Sequence, residues 1–469
     1  MKGFKKILII FIIFFGWSLN GNSAAEHDVP QTNKESKKSS FDIFIRQNDP
    51  LIAEIKSILE THYIEPERIK DINWNRINSK KEWIKEIFSN LDPHSRYLDK
   101  EEFNSFTQTT NGHYEGIGIR FKFQKKSSEQ DKQDNNLETS PDDCTGFLAI
   151  ITEIFPNKTA EKAGLLPEDV IIKINNQDIS GWCLIHITKE LKGNTGSIVE
   201  ITVLRKNQEL TFKLTRETIK INPVASDIFQ EKLLKFKIGY LKIESFSSKG
   251  VYHILSEKTL ELIEKGVENL ILDLRGNHGG LLSEAIDVTD LFLEETFLTK
   301  KKIISVIKGK DGEKKYSPFF TFKKDGYISS LFVLVDAKSA SAAEIVASAL
   351  QDHGTAIIVG VPTFGKASVQ MAFPLLDGGA ALITIGRYFR PNGQTLQWHG
   401  VTPDIIIPKE TPKEEKPEKR EKNMENALKP IGDEPPAIFS KIEKKYKDDF
   451  QLMRTLEIIR SFEIIKNKN

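Results

Sequence analysis

From Ile238 to Val361 the chain alternates short apolar runs with helical patterns, and few folds can satisfy that rhythm. The runs IGYLKIESF, NLILDLR, LFVLVDA and AIIVGV are separated by helical stretches over 251–265, after Gly280 and over 342–353. Strands in such alternation bury both faces under crossover helices, so the pattern predicts a largely parallel sheet covered by helices. The stretch ends with SVQMAFPL, LDGG and AALITIGRYF, two strands joined at a glycine turn.

A chain of 469 residues is too long to be this sheet alone. Residues 45–112 read as a helical N-terminal region, with patterns such as DPLIAEIKSILETHYI and SKKEWIKEIFSNL. From 113 to 217 the texture changes to short alternating strands with glycine, a β-rich module carrying one helix near Cys183–Leu191. A polar insert, KKSSEQDKQDNNLETSPDD, interrupts one of its hairpins. The α/β core then spans 218–408, a charged linker 409–436, and a helical C-terminal tail 437–469. The fold class expected is therefore multidomain, α/β and α+β, with a mixed sheet in the core.

The first residues read differently. Lys2, Lys5 and Lys6 precede an apolar run from Ile7 to Trp17 and a small-residue stretch ending at Ala25. That is the order of a secretory signal (1–25), followed by a polar linker (26–44). The run is short of the ~20 residues that span a bilayer, so export is expected, to the periplasm in a bacterium, with an uncleaved membrane anchor as the alternative. The formal net charge of +1 gives no reason to expect a nucleic-acid partner. Only Cys144 and Cys183 are present, too few for a disulfide scaffold, and two free thiols are the expectation. No cluster has metal-ligand spacing, and no cofactor is implied.

The chemistry gathers at KSASAAEIVASALQDHG. Ser341 stands between a strand and a helix and forms the S-x-x-E pattern of a capping box with Glu344. A serine there is most often a cap, yet it also ends a central strand and faces a helix N-terminus suited to an oxyanion. A nucleophile needs a base, and three candidates follow: His278 in a glycine loop, His353 at the helix end, and Lys366 in GVPTFGKASVQ. The last stretch also reads G-x-x-x-x-G-K, but Ala367 stands where a magnesium-binding Ser or Thr belongs and Pro362 lacks an N–H. As a base, Lys366 must be buried to lose its proton near neutrality; Val361, Phe364, Val369 and Phe373 are the candidate walls. Gln370 could hold the amine only if the chain turns at GKAS, since four extended residues span ~13 Å. Gly279 and Gly280, in ILDLRGNHGG, could bring N–H groups against a carbonyl beside the Ala342 N–H.

These motifs, with LDPHSRYLDKEEF, GHYEGIGI, GRYFRPNG and HGVTPDI in the same order, resemble the carboxyl-terminal processing proteases over roughly 45–408. The resemblance implies a PDZ domain ahead of a serine peptidase core. It implies a catalytic site of Ser341, Lys366 and Gln370, an oxyanion hole at Gly279 and Ala342, and substrate tails held by Gly116, Ile117, Gly118 and Ile119. Partners would be proteins or peptides with free C-termini, with an activator, an adaptor and a homo-oligomer left open. Ala343, Glu168, Asn176 and the enlarged insert depart from the family's usual pattern. A silent scaffold that only binds tails is the competing reading.

Overall fold

The computed structural model describes residues 49–74, 79–125, 144, 146–232, 235–293, 303–310, 312–316, 328–409, 446 and 448–466. The expected leader, the first linker, the second linker from 410 on, the polar insert from 126 to 143 and the tail before 446 lie outside them.

The central sheet has six strands in the order Val224–Gln230, Lys237–Ile243, Asn269–Asp273, Ser330–Val335, Ile357–Gly360 and Ile405–Ile406. Only the first pair is antiparallel; every other neighbour is parallel. Leu270, Leu272, Val333 and Val335 turn to one face, where helices Val251–Glu264, Leu282–Phe292 and Ala342–Asp352 cover them. Ile271, Phe332, Leu334 and Val359 turn to the other, where Leu452, Leu456 and Ile459 of the C-terminal helix Phe450–Lys466 cover them. Two covered faces explain why these strands are continuously apolar. They also show that the C-terminal helix is part of the core.

A second sheet is antiparallel and joins distant parts of the chain: Arg96–Leu98, Ala380–Phe389, Ser305–Gly309, Gly312–Tyr316 and Ser368–Pro374. The N-terminal helices Pro50–His62 and Lys80–Ser89 pack Ile55, Leu59, Trp83 and Ile87 against Leu375, Ala381 and Ile383 of this sheet. Ser79 and Glu82 close a capping box at the second helix, and Asp99 and Glu102 close another at Lys100–Thr110. The N-terminal region is thus built onto the strands that flank Lys366.

The β-rich module forms a six-stranded sheet of its own with a core of Ile151, Ile174, Val199 and Leu214. Its two ends enter side by side, as His113–Gly116 pairs with Glu217–Lys220. Glu168 and Asn176, where the family uses glycine, keep left-handed backbones with φ of 72° and 61°. The free-thiol expectation fails here: Cys144 and Cys183 form a disulfide, with Cα atoms 5.1 Å apart. An antiparallel bridge between Cys144 and Gly181 brings the two together, a pairing that sequence separation cannot show.

Candidate active site

Strand Ser330–Val335 runs into a loop whose backbone is stitched to the DLRGNHGG loop beside it. Asp336 Oδ1 accepts the N–H groups of Gly276 (2.9 Å), Lys338 (3.0 Å) and Ser339 (3.1 Å). Ser339 Oγ donates to the Leu274 carbonyl (2.8 Å), and the Ala340 N–H to the Asn277 carbonyl (2.9 Å). This leaves Ser341 at the tip with φ 56° and ψ −116°, a left-handed conformation that a residue with a side chain adopts at a cost. A strained serine on a strand-to-helix turn is the geometry that presents a nucleophile. The helix behind it, Ala342–Asp352, is almost wholly buried, so the tip is rigid.

Glu344, which the sequence presents as half of a cap, does more than cap. Its carboxylate is fully buried and accepts four hydrogen bonds from two separate loops. Oε2 takes the N–H of Ser341 (2.8 Å) and of Lys366 (2.9 Å); Oε1 takes the N–H of Gly365 (2.7 Å) and the Thr363 hydroxyl (2.5 Å). One carboxylate therefore fixes the backbone of the serine against the backbone of the lysine. Burial pushes its pKa up, and the same four donors oppose that shift. Tyr388, fully buried, places its phenol between them: it donates to the Lys366 carbonyl and lies in hydrogen-bond contact with the Ser341 side chain.

The Lys366 amine donates to the Ser368 carbonyl (3.1 Å) and to Gln370 Oε1 (2.7 Å). Gln370 reaches it because the strand Ser368–Pro374 shifts register between Val369 and Gln370, a bulge that supplies the turn extended geometry lacks. Among the described residues no carboxylate forms an ion pair with this amine. Burial lowers its pKa to about 8, with Asp92 and Glu344 opposing from a distance. Not all the expected walls are in place. Phe364 is 61% exposed, because its N–H bonds to the Ser339 carbonyl (3.0 Å) and the side chain is left outside. Phe373 packs with the N-terminal cluster instead, and buried Ala367 and Tyr388 are the lysine's neighbours.

Neither candidate histidine is hydrogen-bonded to Ser341 among the described residues. His278 is exposed. His353 caps the far end of the helix that begins after Ser341, with Nε2 2.8 Å from the Ile303 carbonyl. Asp352, beside it, pairs with Arg390 and so ties that helix end to the GRYFRPNG loop.

Gly279 lies against the nucleophile: a Cβ there would come within 2.7 Å of Ser341 Cβ and 2.9 Å of the Ala342 nitrogen. Its φ of 98° also requires glycine. Its N–H, however, donates to buried Asn277 Oδ1 (2.9 Å), so it does not point freely at a substrate. Among the described residues the N–H groups of Gly280 and Ala342 have no such partner. In the β-rich module, Gly116 ends a paired strand and Ile119 begins Ile119–Lys125, an edge strand of its sheet. The carbonyls of Ile117 and Gly118 are bonded to Ala160 and Phe155, while their N–H groups have no backbone partner among the described residues. An open edge beside free N–H groups suits an added strand ending in a carboxylate.

Comparison with known proteins agrees with this architecture. Residues 237–407 match the family model described as Peptidase family S41, and residues 116–204 match PDZ domain. A carboxy-terminal-processing protease of Bartonella bacilliformis is 32% identical over 341 residues, 71% of this chain and 70% of that protein. A "Probable CtpA-like serine protease" of Staphylococcus aureus is 31% identical over 364 residues, 77% of this chain and 65% of that protein. Among solved structures, a "Putative S41 protease" from Bacteroides fragilis superposes with a TM-score of 0.50 at 16% identity, over 76% of this chain and 90% of that one.

Proposed function

The chain belongs to the carboxy-terminal-processing proteases of peptidase family S41, and from that premise we propose that it cleaves exported proteins near their C-termini with Ser341 as nucleophile and Lys366 as base. It is a serine peptidase with a PDZ domain, which removes the silent-scaffold reading.

The observation that carries the assignment of the base is how the amine is held. A neutral amine has two N–H bonds and one lone pair. Ser368 O and Gln370 Oε1 occupy the two N–H groups, so the lone pair is left to accept a proton. Burial makes the neutral form accessible near pH 8. In the reaction, Lys366 Nζ takes the Ser341 hydroxyl proton as Oγ bonds to the scissile carbonyl carbon. The N–H groups of Ala342 and Gly280 receive the oxyanion. Collapse breaks the C–N bond, and the Lys366 ammonium gives its proton to the departing amine, leaving an acyl-enzyme. Water then loses a proton to Lys366 and attacks the ester, and the proton returns to Ser341 Oγ. No metal or cofactor has a part in these steps.

The substrate's C-terminal carboxylate would sit at the N–H groups of Gly116–Ile119, its chain adding alongside Ile119–Lys125. The signal-like residues 1–25 support a site of action outside the cytoplasm, periplasmic in a bacterium. Mass spectrometry of an unfolded substrate with a free or an amidated C-terminus tests the whole reading. Cutting by the wild type alone, slowed by amidation, is the expected result; undiminished cutting by Lys366→Ala would refute the base.

A further inference from the structure

The Lys366 amine is one end of a hydrogen-bonded line that leaves the peptidase core. Gln370, which accepts from the amine, donates through Nε2 to Thr384 Oγ1 (3.1 Å) and to Ser368 Oγ (2.9 Å). Thr384 Oγ1 in turn donates to Asp92 Oδ1 (2.9 Å). Asp92 belongs to the LDPHS loop after helix Lys80–Ser89, in the N-terminal helical region. It is firmly set: Oδ1 also accepts the His94 N–H (3.0 Å), Oδ2 accepts the Ser95 hydroxyl (2.5 Å), and its own N–H donates to Tyr63 Oη (3.0 Å). The junction is closed by backbone as well. The Thr384 N–H donates to Ser95 Oγ and the Thr384 carbonyl accepts the Ile64 N–H, both at 3.0 Å. Thr384, Ser95 and Tyr63 are all buried.

We propose that Asp92 is a positioning residue for the Lys366 base, acting through Thr384 to fix which end of the Gln370 amide faces the amine. The inference rests on the Ser341–Lys366 reading above.

Donors and acceptors alone set the order of this line. An amide can present oxygen or nitrogen to the lysine with little change of shape, and only its partners decide which. An ionised carboxylate can only accept, so the Thr384 hydroxyl must spend its one proton on Asp92. Its oxygen then faces Gln370 as an acceptor, so the amide must turn its NH₂ toward Thr384 and its oxygen toward Lys366. That oxygen orients the amine's N–H and hence its lone pair. A neutral residue at 92 could donate as readily as accept, and the order would be lost.

The charged and titratable groups around the amine are Asp92, His94, Glu344 and the Tyr388 phenol. Of these, Asp92 and Glu344 favour the protonated amine, while burial first, and the amine second, hold His94 below its ordinary value. Replacing Asp92 by a neutral residue therefore moves the lysine's titration to lower pH, which loss of packing alone would not do.

The test is Asp92→Asn and Thr384→Val in the full chain, with kcat and KM followed across the limb near pH 8. For Asp92→Asn the expected result is a kcat lower by roughly tenfold to a hundredfold, an unchanged KM, and an acidic limb displaced downward by roughly half a pH unit or more. Thr384→Val should show a kcat loss of the same order. A wild-type kcat and limb in Asp92→Asn would overturn the proposal, as would a kcat loss accompanied by an unmoved limb. Should Asp92→Asn not fold, a kcat within about twofold of wild type in Thr384→Val overturns it. Lys366→Ala run in parallel separates the two readings: activity in that variant sinks the base itself, whereas its inactivity beside a normal Asp92→Asn sinks only the present inference.

Discussion

Lys366→Met should make the protein more stable while abolishing catalysis, and the size of the gain follows from the burial of the amine. An unfolded lysine titrates near 10.5, whereas burial brings the folded one to about 8. Between those values the unfolded chain binds the extra proton, so stability rises with pH through that window. Below about pH 8 the folded state bears the whole cost of keeping the ammonium out of water. At about 1.4 kcal/mol per pH unit, the gap is worth about 3 kcal/mol. Methionine has a similar length and no charge to desolvate, but it gives up the bonds to Ser368 and Gln370, each worth about 1 kcal/mol. The net expectation at pH 7 is a stabilisation of roughly 1–2 kcal/mol. Once the lysine is neutral in both states, above about 10.5, only the lost hydrogen bonds remain and the variant becomes the less stable one. Urea unfolding followed by circular dichroism, in a Ser341→Ala background that prevents self-cleavage, measures both. A Lys366→Met variant destabilised equally at neutral and high pH would refute the reasoning, because it would mean the amine is not held against its charge.

Three other outcomes follow from the same geometry. Glu344→Gln places an NH₂ against at least one backbone N–H whichever way the amide turns, so activity should fall by ~100-fold or more and stability by roughly 3 kcal/mol, read by kcat and by urea midpoint. Gly279→Ala puts a Cβ 2.7 Å from both Ala340 O and Ser341 Cβ on a backbone with φ 98°, and should remove turnover while leaving tail-peptide binding by the PDZ domain intact in a fluorescence titration. Replacing both Cys144 and Cys183 by alanine opens a link across 39 residues, and the PDZ transition should lose about 2–4 kcal/mol with the peptidase core's transition unmoved.

How much of this was legible in the sequence depends on distance along the chain. The strand–helix alternation and the small residues before Ser341 are local signals, and the parallel core follows from them. The S-x-x-E pattern also showed Glu344, but only as a cap. Its bonds to Gly365 and Lys366 cross from one loop to another and have no sequence signature. Gln370 was reachable only through a bulge, and periodicity cannot register one inserted residue. Phe364 looked like a wall of the lysine site because it is apolar and near; a single backbone bond to Ser339 turns it outward. The Gly279 N–H seemed an oxyanion donor until Asn277, two residues earlier, was seen to occupy it. Asp92, in the loop before Arg96–Leu98, and Thr384, in Ala380–Phe389, meet across 292 residues because those two strands pair, and the sequence shows that sheet only in pieces.

The most direct test of the account is labelling of the active serine by a fluorophosphonate, located by mass spectrometry and timed as a function of pH. The account predicts modification at Ser341, a rate that rises along a limb near pH 8, and its loss in Lys366→Ala. Labelling that survives in Lys366→Ala, or a limb near the ~6.5 of an ordinary histidine, would contradict it.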